Sequence, residues 1–253
     1  MSLVSCSYEE QDGYISINDN YTNNLLKLSG YTEPSEDELA DLCDKRIFLD
    51  ELSVYAQKYA RIAYMYASDV LNDRFELGEP VIAQDSHHSY YYARNVIKGR
   101  FELGESVISR NAHDSYWYAR EVLDGRFELG EPTIAEDSYC SHLYARDILN
   151  GEFVLGEPAI AQVAQHSYMY AIDILNGRFE LGEPAISSES DYSYWYATEA
   201  LKGRFELGEQ AIAKDSHYSF RYARDVLNGR FELGEPAIAN DPHYSELYKG
   251  ILE

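Results

Sequence analysis

The phrase GRFELGEPAIA, first met in full at Gly229, restricts this chain more than any other feature. Near-copies begin at Gly125 (GRFELGEPTIA), Gly177 (GRFELGEPAIS) and Gly203 (GRFELGEQAIA). Phe75, Phe101, Phe127, Phe153, Phe179, Phe205 and Phe231 mark a period of 26 residues with no insertion. Glu79, Glu105, Glu131, Glu157, Glu183, Glu209 and Glu235 keep the same time, as do Tyr92, Tyr118, Tyr144, Tyr170, Tyr196, Tyr222 and Tyr248. Thirteen of the sixteen glycines fall in two repeat columns, one before RF and one before the glutamate. A fixed period of this length is the signature of stacked supersecondary units.

One repeat, from Asp215, reads DSHYSFRYARDVLNGRFELGEPAIAN. Asp215 is a helix N-cap residue. No breaker interrupts the run to Asn228, and Gly229 suits the left-handed position after a helix end. These signals predict a long helix of about 13 residues. RFEL is a connector, and Pro236 sets the first turn of a short second helix. Asp241-Pro242 ends that helix and opens the next repeat. Neither helix can bury its apolar face alone, so neighbouring repeats must stack. The expected fold is all-α: a right-handed-type α-solenoid of about seven 26-residue helical hairpins.

The expected domain division is 1-46, an acidic N-terminal cap or accessory segment, and 47-253, the repeats. The sequence from Tyr55 carries the tyrosine and alanine columns at Tyr66 and Ala67 but lacks the DSH start, so it reads as a degenerate first repeat. SEDELADLCDK predicts a helix opened by a capping box of Ser35 and Glu38. GYISIND reads as a short strand or loop.

On a helical wheel with the N-cap as position zero, positions 1, 4, 5, 7, 8, 11 and 12 share one arc. Position 4 is serine in all seven repeats, from Ser89 to Ser245. A hydroxyl that constant invites a catalytic reading, but its small size and place on the core arc favour close packing and a bond back to its own helix. The constant tyrosine also faces the core, with its hydroxyl expected to reach a neighbouring repeat. The Arg and Glu of GRFELGE suggest an ion-pair ladder between repeats rather than seven copies of an acid–base site.

The opposite arc varies between repeats, which separates it from the demands of stacking. Position 6 reads Tyr91, Trp117, Leu143, Met169, Trp195, Arg221 and Leu247, and includes both tryptophans of the chain. Such residues anchor protein interfaces when exposed. The alternative is a twist that tucks this column against a neighbouring helix. Position 10 adds the carboxylates Glu121, Asp147, Asp173, Glu199 and Asp225. Together these columns form the predicted partner-binding face.

Charge narrows the partner. With 21 basic and 44 acidic residues the chain carries a formal −23, of which residues 1-46 contribute −7 and the repeats −16. A nucleic-acid binder needs a basic face, and anionic membranes are disfavoured for the same reason. The natural complement is a protein with a basic surface. Mimicry of DNA is the alternative. Seven repeats about 10 Å apart match a length on which duplex DNA places roughly 40 charges, well above −16. A small-ligand (nucleotide) sponge is a further alternative.

No nucleophile elbow, phosphate loop or zinc-protease motif is present, and no enzyme activity is predicted. The histidines give no shared metal geometry, because adjacent His87 and His88 diverge by about 100° on a helix. Cys6, Cys43 and Cys140 are odd in number and lack metal spacing, which fits idle thiols in a reducing compartment. No cofactor is expected. The N-terminus lacks the features of a signal peptide, the NYT sequon at Asn20 reads as chance, and the expected location is the cytoplasm.

The consensus SYxYAxDVLxGRFELGEPAIAxD resembles a short helical repeat of proteins from bacteriophages and other large DNA viruses. YA, GR with an aromatic, and GE recur there at a similar spacing, and the resemblance covers about residues 60–248. It implies a miniature TPR/Sel1-like superhelix, a viral origin and a cytoplasm of the infected host. It carries no catalytic residues. The function it suggests is a phage protein that binds and inhibits a host defence or nucleic-acid-handling protein.

Overall fold

A computed structural model describes residues 10–11, 14–15, 34–46 and 50–252. The fold is all-α apart from a two-residue antiparallel pairing of Glu10–Gln11 with Tyr14–Ile15. The rest of the GYISIND segment, Cys6 and Asn20 lie outside the described residues. The chain divides into two compact halves, Met1–Gly130 and Glu131–Glu253. That division falls within the repeats.

The first half opens with a helix at Glu36–Asp44. Ser35 caps it as the sequence predicts: its Oγ accepts the Glu38 N–H while Glu38 accepts the Ser35 N–H. Leu39, Leu42 and Cys43 are fully buried, and the helix packs against the degenerate first repeat at Ala60–Met65. This supplies the apolar cover that a terminal repeat needs. A helix at Asp50–Ala56 lies between them in sequence.

The 26-residue repeat appears as a long and a short helix. In the last full repeat the α-helix Ser216–Tyr222 continues into a wide π-helical turn, Ala223–Leu227. Asp215 accepts the Tyr218 N–H at 2.9 Å. The same capping bond comes from Asp85 and Asn111 in the first half and from Asp137 in the second. The short helix Glu235–Asn240 starts with Pro236 in its first turn.

The helix end differs from the sequence reading. The left-handed residue is not the glycine but the one before it: Lys98, Asp124, Asn150, Asn176, Lys202 and Asn228 have φ between 46° and 55°, as does Asn72, which precedes Asp73 in the degenerate first repeat. The widened turn accounts for this. Asn228 and Gly229 both donate their N–H groups to the Ala223 carbonyl, so the chain reverses one residue early.

The core follows the predicted arc. Tyr92 and Tyr118 in the first half, and Tyr144, Tyr170, Tyr196 and Tyr222 in the second, are fully buried, as are the serines of position 4 from Ser89 to Ser219. Each serine Oγ–H donates to an isoleucine carbonyl of the preceding short helix, for example Ser193 to Ile186 at 2.9 Å. The bond therefore joins two helices and does not return to its own. Close approach explains the serine's size. A Cβ on Gly208 would lie 2.6 Å from Ser193 Oγ and 2.5 Å from Phe205.

A buried network ties each repeat to the one before. The Tyr196 hydroxyl accepts the Phe179 N–H at 2.7 Å and donates to Glu183 at 3.2 Å. Tyr92 and Tyr118 repeat this with Phe75–Glu79 and Phe101–Glu105. The expected ladder of Arg–Glu pairs between repeats is instead a clamp within the connector at Arg74, Arg100, Arg178, Arg204 and Arg230. Arg204 grips Glu209, five residues on, at 2.6 and 3.0 Å. The RFELGE turn brings both ends of the phrase together, so the arginine meets its local glutamate first.

Candidate interaction surface

Position 6 is neither sealed nor open. Tyr91 and Trp117 in the first half are half-buried, as are Met169, Trp195 and Arg221 in the second, whereas Leu143 is buried and Leu247 exposed. The expectation of solvent along the whole column is therefore corrected at Leu143. The wheel divided the helix into core and solvent, but a helix in a stacked row also has two flanks against its neighbours. Position 6 borders one of them.

In the second half Trp195 sits in an aromatic cluster. Its ring centroid lies 6.1 Å from Tyr168, 5.4 Å from Tyr192 and 6.2 Å from Tyr218. Arg221 places its guanidinium 4.8 Å from the Tyr194 centroid, a cation–π distance. In the first half Tyr91 packs edge-on to His87 at 4.6 Å, and Arg120 lies 5.3 Å over Trp117. Sequence reasoning passed over the position-3 tyrosines Tyr192, Tyr218 and Tyr244, although they recur at the 26-residue spacing.

The acidic column has structural partners. Glu121 accepts the Tyr90 hydroxyl at 2.5 Å and pairs with Arg94 at 2.8 Å in the first half. In the second, Asp173 meets His142 Nε2 at 2.9 Å, Glu199 accepts from Tyr168 at 2.8 Å, and Asp225 accepts from Tyr194 at 2.7 Å. Asp147 pairs with Arg146 at 2.7 Å. Position 5 of one repeat thus reaches position 10 of the next. Burial, then the neighbouring carboxylate, pushes the Tyr194 hydroxyl up to about 12, while the Arg224 hydrogen bond holds Asp225 below its ordinary value. Glu121, Glu199 and Asp225 thus brace tyrosines beside position 6, while Asp173 and Asp147 are held by His142 and Arg146.

The histidines at the helix starts are engaged locally: His88 Nδ1 lies 2.7 Å from Asp85 and His87 Nδ1 3.3 Å from Asp114. Within either half, the described residues place no three His, Cys, Asp or Glu groups together for a metal. Cys43 and Cys140 are buried free thiols. Burial, with Asp69 and Asp44 nearby, pushes Cys43 up to about 12, which suppresses the thiolate form. No described helix is long and apolar enough to cross a membrane.

Comparison with known proteins adds no family: no protein-family description, curated protein or solved structure matches the chain.

Proposed function

We propose that this chain is a non-catalytic protein-interaction α-solenoid, of right-handed type with about seven hairpins, and that its position-6 face binds a protein with a basic surface. The observation that carries the reading is the setting of Trp195. A half-buried indole held among Tyr168, Tyr192 and Tyr218 is a rigid apolar anchor, and such anchors dominate binding at interfaces. Glu199 keeps a carboxylate beside this cluster while it braces Tyr168, whereas Asp225 braces Tyr194 and is matched by Arg224. The repeat resemblance suggests a host defence or nucleic-acid-handling protein as the partner class.

The test is retention of host-lysate proteins on the immobilised full chain, with mass spectrometry of what is retained. Trp117→Ala with Trp195→Ala is expected to release the specific partner while far-UV circular dichroism stays unchanged. Retention of that partner by the folded double variant would remove this face from consideration.

A further inference from the structure

The packing accounts for four letters of RFELGE and leaves two unexplained. Arginine clamps the inner glutamate, phenylalanine is buried, glycine admits the serine, and the inner glutamate accepts the core tyrosine. The outer glutamate and the leucine face solvent. Leu77, Leu103 and Leu129 in the first half are 67, 55 and 55% exposed, and Leu155, Leu181, Leu207 and Leu233 in the second are 55, 53, 55 and 41% exposed. A single exposed leucine on a soluble protein needs no explanation. The same exposed leucine kept in seven repeats, while positions 6 and 10 drift, does.

Charge at this ridge is one-sided. The RFELGE connectors carry two glutamates to one arginine, and the arginine is held most closely by the inner glutamate, as Arg178 by Glu183 at 2.7 Å, so each such connector keeps one negative charge in excess. Glu180 and Glu206 are 83 and 80% exposed and share the arginine of their connector, Arg178 and Arg204, only at 3.9 Å. The one divergent repeat keeps this character: Glu152 replaces the arginine, and the outer glutamate becomes Val154, 66% exposed. Between successive connectors lie open grooves. One of about 600 Å³ in the first half runs from Arg74 and Glu79 to Leu103. Its counterpart in the second, of about 570 Å³, runs from Arg178 and Glu183 to Leu207.

We infer that the Glu–Leu ridge of each half is a docking surface for a basic amphipathic helix, separate from the position-6 face. A second copy of the chain is a poor occupant, because its ridge carries the same acidic charge and the chain as a whole carries −23. Stacked helices lie about 8–10 Å apart, close to the roughly 10.5 Å that seven residues of helix span. A partner helix with an apolar residue at every seventh position meets one groove per repeat, and Lys or Arg beside those residues meets the outer glutamates.

The test uses the full chain and three fluorescent 21-residue peptides. One has leucine at every seventh position flanked by lysine, one has the same composition scrambled, and one is oligolysine. Anisotropy titration is expected to show the heptad peptide binding at least tenfold tighter than the other two. Leu181→Ser, Leu207→Ser and Leu233→Ser together should weaken it about tenfold without lowering the thermal midpoint, since these side chains are exposed. Glu180→Gln, Glu206→Gln and Glu232→Gln should weaken it and flatten its salt dependence, whereas Trp117→Ala with Trp195→Ala should leave it unchanged. The inference is overturned if the wild-type chain does not bind the heptad peptide. It is also overturned if the scrambled peptide binds as well, if the serine variant binds like wild type, or if that variant unfolds early.

Discussion

Tyr196→Phe removes one oxygen from the buried network and leaves the ring in place. In the folded chain that oxygen accepts the Phe179 N–H at 2.7 Å and donates to Glu183 at 3.2 Å. Tyr196 is fully buried and Glu183 is 7% exposed, so water does not readily replace the lost bonds. A buried N–H left without its acceptor costs about 1–3 kcal/mol, and a hydrogen bond to a charged group contributes about 1.5–3 kcal/mol. The two overlap, because Arg178 still holds Glu183 at 2.7 Å, and the expected loss is about 2–4 kcal/mol. Repeat proteins depart from all-or-none unfolding, so urea titration should be paired with amide hydrogen exchange. The Phe179 amide should lose protection ahead of those in the first half. A loss under about 0.5 kcal/mol with Phe179 still protected would show that the hydroxyl does not tie the repeats together.

The two glycine columns should respond in opposite ways. Gly182→Ala puts a Cβ 2.5 Å from Phe179 and 2.6 Å from Ser167 and should cost about 1–3 kcal/mol in thermal unfolding. Gly177→Ala meets nothing closer than 3.7 Å and should be neutral or stabilising by up to about 1 kcal/mol; equal losses at both sites would contradict the packing account. Lys202→Gly relieves a left-handed lysine at φ 50° and should raise stability by up to about 1 kcal/mol, seen as a higher thermal midpoint. It should do so more than Asn176→Gly, because asparagine tolerates that conformation, and the reverse order would refute the strain. His142 is fully buried, with Nδ1 lacking any partner. Burial holds its pKa below the ordinary 6.5, with Asp173 acting the other way. Neutral in the fold and protonated first in the unfolded chain, it contributes stability that is present above 6.5 and lost as pH falls further. His142→Tyr restores the hydroxyl that Tyr168 and Tyr194 supply elsewhere and should flatten the acid limb of a stability profile; an unchanged limb would place the proton uptake at another group.

Much of the local architecture was readable from residue order. The 26-residue spacing gave the helical pairs, Asp85 and Asp215 gave their starts, and Pro236 gave the second helix. The tyrosine and serine columns were assigned to the interior, where they are found. These signals are legible because capping, first-turn proline and apolar periodicity act within a few residues of chain. The wheel was less reliable at the flanks, where Leu143 is covered and Glu121, Glu199 and Asp225 are bonded to tyrosines of the preceding repeat.

By itself, then, the sequence determined that this protein is built of repeated helical pairs, which columns enter its core, and that its charge is strongly acidic. Tertiary structure alone decided the partners: Arg204 closing on Glu209 within its own connector, Ser193 reaching the Ile186 carbonyl, Tyr194 reaching Asp225, and the leucine of each connector left facing water. The reason is physical. Helix starts and burial preference depend on a residue and its near neighbours, whereas a hydrogen-bond partner 31 residues away, or a constant side chain left uncovered, depends on how one repeat is offset against the next.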